Sequence, residues 1–131
     1  MKTMIALCFA PAASAAAHAQ ESKGIDEIIR KREAVLTQIV EATQSQYKAG
    51  AASEEQLRGA TIHLYSFRRD STKAHSERLR WQERIVATER EGKASVKRRV
   101  ATGTATRLDE LLAEERVLAA EQKLLELQAV K

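Results

Sequence analysis

The stretch that decides the fold is Arg99-Val100-Ala101-Thr102-Gly103-Thr104-Ala105-Thr106-Arg107-Leu108-Asp109. A glycine after an apolar-periodic run supplies the left-handed residue that closes a helix's last carbonyls. Three residues on, Thr106 and Asp109 have the spacing of a capping box, which opens the next helix. The same chemistry stands earlier, in Ala49-Gly50-Ala51-Ala52-Ser53-Glu54-Glu55-Gln56. With Gly50 set on Gly103, an offset of 53 residues, Ser53 falls on Thr106, Ala60 on Ala113, Leu64 on Val117, Phe67 on Ala120 and Ala74 on Leu127; Leu57 on Glu110 breaks the match. Turn, cap and apolar stripe recurring in register signify one supersecondary unit used twice. Here the unit is helix, glycine turn, helix.

Outward from the turns, three helical stretches follow. Ile25, Ile28, Ile29, Val35, Leu36, Ile39, Val40 and Tyr47 make a broad apolar stripe before Gly50. From Ser53 onward, Leu57, Ala60, Leu64, Phe67, Ser71, Ala74, Arg78, Trp81, Ile85 and Thr88 keep the 3-4 spacing of a coiled-coil seam. After Gly103, leucines from Leu108 to Leu127 occupy more than one stripe, so that helix is expected to pack on two sides. The expected fold is all-α, with helices over about 24–49, 53–101 and 105–130 in antiparallel coiled-coil pairing. Gly92 costs roughly 1 kcal/mol in a helix interior, too little to stop a long one. The middle segment is therefore expected to be one helix of about 49 residues, ~74 Å long. Each flanking helix would cover half of it, giving a Z with the two turns at opposite ends. The rival is a three-helix bundle that turns at Glu91-Gly92-Lys93. Charge supports antiparallel pairing: net charge is −2 over Gln20 to Leu57, +7 over Arg58 to Arg99 and −2 over Val100 to Lys131.

Composition narrows the function. Alanine-rich apolar content with 4% aromatics allows a thin core between helices, and 31% charged residues fit long helices or coiled coils. Residues 1–19 read as a signal peptide: Lys2, an apolar run from Met4 to Ala17, then Ala17-His18-Ala19 with cleavage expected after Ala19. The run is shorter than the ~20 residues of a membrane span. Cys8 lies inside it, behind Leu7 and too little apolar sequence for a lipoprotein signal, so the mature domain of residues 20–131 would hold no cysteine. A periplasmic or secreted location is expected, with no transmembrane span in the mature chain.

Catalytic and metal chemistry find no foothold. His63 and His75 stand twelve residues apart, roughly 18 Å along one helix, and no H-x₃-H or H-E-x-x-H spacing exists. Glu54-Glu55 and Glu114-Glu115 are adjacent and face different ways. No nucleophile elbow, Walker loop or dinucleotide fingerprint occurs. No enzyme, metal or cofactor is expected. The basic residues Arg68, Arg69, Arg78, Arg80, Arg84, Lys97, Arg98 and Arg99 are interleaved with Glu77, Glu83, Glu89 and Glu91. That reads as a solvated, salt-bridged face rather than a nucleic-acid surface. Trp81, on the seam, either fills the junction between flanking helices or anchors a second chain.

The second turn, with Gly103-Thr104 before Leu108-Asp109-x-Leu111-x-Ala113, resembles the repeated helical-hairpin motif of the TolC family of outer-membrane efflux proteins. Tyr47 to Gly50 followed by Leu57 and Ala60 looks like a weaker copy, with Gln56 at the Asp position. The resemblance covers roughly Val35 to Leu127. It implies that the turns are tips that meet the hairpins of periplasmic adaptor proteins, and it points to Gly50, Gly103, Thr104 and Asp109 as turn and tip positions, to which the capping-box spacing adds Ser53 and Thr106. The chain departs from that family in being far shorter and in lacking alternating runs that read as membrane strands. The expected function is thus a non-enzymatic coiled-coil interaction protein of the cell envelope, associated with TolC-type efflux or export. Its contacts would come from the turn motifs and a seam through Leu57, Leu64, Phe67, Trp81 and Ile85, with protein partners and self-association. The alternative is a Spy-like periplasmic chaperone or metal-stress protein, of whose Leu-Thr-x-x-Gln motif only Leu36-Thr37-Gln38 is present.

Overall fold

The computed structural model describes residues 13–130, and all regular structure among them is helical. There are four helices, not the three expected: α1 (Ala13–Lys48), α2 (Glu54–Ser71), α3 (His75–Ala101) and α4 (Arg107–Ala129). Much of the proposed signal segment, residues 1–12, lies outside the described residues, and the Ala17-His18-Ala19 site falls within α1. The chain divides into two compact units, one ending at Arg32 and one starting at Glu33. The second holds the rest of α1, all of α2, α3 and α4, and the whole buried core.

The expected continuous helix over 53–101 is broken, and not at Gly92. Thr72 and Ala74 take extended backbone angles, and α3 folds back along α2. No glycine or proline marks this bend. The serine and threonine at its start offer the backbone alternative partners. Ser71 Oγ donates to the Phe67 carbonyl, Thr72 Oγ1 donates to Glu77 at 2.7 Å, and Arg78 Nε donates to the Thr72 carbonyl at 2.9 Å. Packing then outweighs local helix propensity. Folding back brings Ile62 and Tyr65 of α2 against a core of Ile85, Val86 and Ala120, joined by Leu124 of α4.

Cross-helix bonds fix the directions. Arg69 meets Gln82 near the bend and Glu54 meets Ser95 at the far end, both at 2.6 Å, so α2 and α3 are antiparallel. Gln82 Nε2 donates to the Ala120 carbonyl at 2.8 Å and Lys93 pairs with Glu114 at 3.2 Å, so α3 and α4 are antiparallel too. Arg68 pairs with Glu33 at 2.8 Å, linking α2 to α1. The seam expected along one helix is therefore divided. Leu57, Leu64 and Phe67 lie on α2, while Trp81 and Ile85 lie on α3; Leu64 and Ile85 are buried and the others half-buried.

Gly92 has a packing role instead of a breaking one. It sits buried inside α3, and a Cβ there would stand 2.5 to 2.9 Å from the Arg58 side chain. The missing side chain is the slot in which the Arg58 guanidinium crosses α3. Arg58 lies 3.7 Å from Glu89 and 3.3 Å from Glu55. Arg116 of α4 reaches the same two carboxylates, at 3.5 Å and 3.7 Å. Three helices thus meet on one charge network at the α2–α3 interface, with Arg58 and Glu89 buried where the sequence suggests a solvated, salt-bridged face.

Candidate interaction site at the paired turns

The Gly50 and Gly103 turns are built alike. Both glycines have φ of +76°, the left-handed conformation that costs a residue with a Cβ about 1–2 kcal/mol. Gly50 N donates to the Tyr47 carbonyl at 3.0 Å and Ala51 N to Gln46 at 2.8 Å. Gly103 N donates to Val100 at 3.1 Å and Thr104 N to Arg99 at 2.8 Å. These are the same two bonds, 53 residues apart in the chain. Both capping boxes form. Ser53 N donates to Gln56 Oε1 at 2.7 Å while Gln56 N donates to Ser53 Oγ at 3.1 Å. Thr106 N donates to Asp109 Oδ2 at 2.7 Å while Asp109 N donates to Thr106 Oγ1 at 3.2 Å. The bonds from Thr106 hold the Asp109 carboxyl below the usual carboxylate range.

Because α3 returns along α2, the two turns lie at the same end of the helices rather than at opposite ends. The Glu54–Ser95 bond ties the start of α2 to the later part of α3. Gly50, Ser53, Gly103, Thr104, Thr106 and Asp109 are all exposed. Thr104 Oγ1 donates to the Arg99 carbonyl at 3.2 Å and lies 3.1 Å from Thr102 Oγ1, so the second tip carries a small hydroxyl cluster. With Ala49, Ala51 and Ala101 also exposed, the tips are paired small-residue surfaces that a helix end could approach closely.

Trp81 stands away from the tips. Its ring lies 5.4 Å from that of Tyr65, with the guanidinium carbons of Arg68 and Arg84 each 4.9 Å from its centroid. Cation–π contacts of this kind are attractive and favour a fixed ring. Trp81 is thus a joint between α2 and α3, and its expected place between two flanking helices does not exist. The sequence reading missed Arg58, Gln82, Glu89, Gly92 and Arg116. Gln82 is 1% exposed, donating to Ala120 and accepting from Arg69. A signal for this network was present: polar residues interrupt the apolar spacing of α3 at heptad positions 82 and 89.

Among the described residues, no group of three or more His, Cys, Asp or Glu side chains could hold a metal ion, and no helix is long and apolar enough to cross a membrane. Comparison with protein-family models, curated proteins and solved structures gives no match.

Proposed function

We propose that this chain is an exported, non-enzymatic interaction protein of the cell envelope whose twin tips receive the helical hairpin of a protein partner. The observation that carries this reading is the tip geometry: two turns with the same hydrogen bonds and the same caps, exposed at one end of two antiparallel hairpins. It agrees with what the TolC-family resemblance implies, two hairpin tips offered to a periplasmic adaptor. The finer expectation of a long central helix is dropped, because α2 and α3 are separate helices. Leu64, assigned to a partner-binding seam from the sequence, belongs to the core, so its substitution would report folding rather than binding.

The test is binding of the chain to the isolated hairpin domain of a periplasmic adaptor protein, comparing the parent with Ala51→Glu and Thr104→Glu. These substitutions load the exposed tips with charge. The proposal expects binding by the parent and its loss in each variant, with helicity unchanged. No binding by the parent, or binding indifferent to the tips, would refute it. Suppression of client aggregation by the chain in place of hairpin binding would favour the chaperone alternative.

A further inference from the structure

The ion pairs of the basic stretch do not reach all of its arginines. Arg68 pairs with Glu33 and Arg69 with Asp70, each at 2.8 Å, and Arg78 donates to the Thr72 carbonyl. Arg80 and Arg84, both exposed on α3, have no carboxylate partner among the described residues. They stand four residues apart, so they leave the same face of the helix on successive turns. With Glu77 and the half-buried Trp81 they line one cleft of about 150 Å³.

The walls of this cleft are already held in place. The ring of Trp81 rests against Tyr65 and against Arg68, whose own charge is met by Glu33. The guanidinium carbon of Arg84 lies 4.9 Å from the centroid of the same ring. A guanidinium carries five N–H donors in its plane, and contact with an indole supplies none of them with an acceptor. Glu77 brings the one negative charge of the lining, and its carboxylate accepts from Thr72 Oγ1 at 2.7 Å. That bond ties it to the bend instead of to either arginine.

Two guanidiniums against one tethered carboxylate leave the cleft net positive and short of acceptors. A carboxylate ligand would match the charge of one arginine. A phosphate monoester has about 1.5 to 2 negative charges near neutral pH and three strong acceptor oxygens, so a single group answers both. Guanidiniums also match phosphate geometrically, through paired N–H···O bonds. We propose that the Trp81 cleft binds a phosphate monoester group held by Arg80 and Arg84, with the indole as a flat apolar wall for whatever carries the phosphate. A soluble phosphate ester and a phosphomonoester lipid headgroup offer this same chemistry, and the experiment separates them. The cleft lies away from the tips, so the proposal stands apart from partner binding there.

Trp81 is the single tryptophan of the chain, so its emission reports on this cleft alone. The experiment titrates the full chain with inorganic phosphate at an ionic strength held constant with sodium chloride. Emission is followed, and calorimetry records any binding that leaves the emission unaltered. Saturable binding is expected, with acetate at least about tenfold weaker. Arg80→Gln and Arg84→Gln should each weaken phosphate binding by about tenfold or more, the loss of a charge-assisted bond. Both side chains are exposed, so circular dichroism should show the parent's helicity. Glu77→Gln should tighten binding, because the amide oxygen keeps the bond from Thr72 while the negative charge is removed. Vesicles of phosphatidylcholine containing phosphatidic acid then identify the source. Co-sedimentation that Arg80→Gln abolishes assigns the group to a lipid headgroup, and phosphate binding without co-sedimentation assigns it to a soluble ester. Binding to neither phosphate nor these vesicles would overturn the proposal. So would binding that either arginine variant retains in full, acetate as tight as phosphate, or a Glu77→Gln chain that binds no more tightly than the parent.

Discussion

The two hairpins share turns and caps but differ in how their first helices are used. In the second hairpin, α3 is buried on two sides, against α2 and against α4. In the first, α1 leaves Ile25, Ile28, Val35 and Ile39 exposed. The residues at matching positions differ accordingly. Where α3 has Gln82, Glu89 and Gly92, α1 has Ile29, Leu36 and Ile39. At these repeat positions α3 carries polar or small residues and α1 carries aliphatic ones, while the aliphatic burial of α3 falls on Ile85, Val86 and Val96. The lesson is that the α2–α3 contact is specified by a charge network and one slot. The hydrophobic contribution comes from the thin cluster around Ile85, Val86 and Ala120.

Removing the network should give the largest effect. Arg58→Met leaves Glu89 buried with only Arg116, and breaking a buried pair costs about 3 kcal/mol or more. Urea unfolding should show that loss; a change below about 0.5 kcal/mol would mean that the network is a solvated ornament. Filling the slot should come next. Gly92→Ala gains roughly 1 kcal/mol of helix propensity but drives a methyl into Arg58, and overpacking costs about 1–3 kcal/mol. A net loss of stability is expected. Gly59→Ala sharpens the comparison, since it lies inside α2 with nothing within 4 Å of the added methyl. It should stabilise by up to ~1 kcal/mol. Equal effects at the two glycines would show that Gly92 is not a slot.

The helical class, both turns and both caps could be read from sequence because each rests on neighbours within a few residues. Gly50 with Ser53 and Gln56, and Gly103 with Thr106 and Asp109, are local units. The bend at Thr72 to Ala74 could not be read in that way. The 3-4 spacing runs unbroken from Phe67 through Ser71, Ala74 and Arg78 to Trp81, because a heptad pattern does not register which side of a bend each residue is on. The bend exists for what it brings together: Tyr65 with Trp81, Arg58 with Gly92 and Glu54 with Ser95. Gly92 shows the same limit: its neighbours place it inside a helix, where it lies, but nothing near it in the chain signals the distant arginine that requires a glycine there. With 53–101 expected as one continuous helix, the tips fall at opposite ends, and the paired surface is not foreseen.

The turns, where the hairpins agree, should give smaller and matched effects. Gly50→Ala and Gly103→Ala each put a Cβ on a residue at φ +76°, and each should cost about 1 kcal/mol. Unequal losses would indicate that one tip is held by more than its own turn. The caps differ in one respect that pH can expose. The box at Ser53 closes on the neutral Gln56, whereas the box at Thr106 closes on Asp109, whose carboxyl is held below its ordinary value of 3.8 by hydrogen bonds from Thr106. A carboxylate with a lowered folded pKa binds fewer protons in the folded state than in the unfolded one. Its contribution is complete above the ordinary value and is lost as pH falls through the lowered one. Thr106→Ala should therefore destabilise the chain less at acid pH than at neutral pH, and Ser53→Ala should destabilise it by the same amount at both. Thermal unfolding of the two variants at each pH measures this directly. The carboxyl of Asp70, lowered by its bond from Arg69, titrates in both variants alike and cancels from the comparison. A pH-independent Thr106→Ala would show that the Thr106 hydroxyl caps the helix without help from a charged Asp109, leaving the backbone N–H of residue 106 as the carboxylate's partner, and the two hydroxyl caps would then be alike in mechanism as well as in geometry.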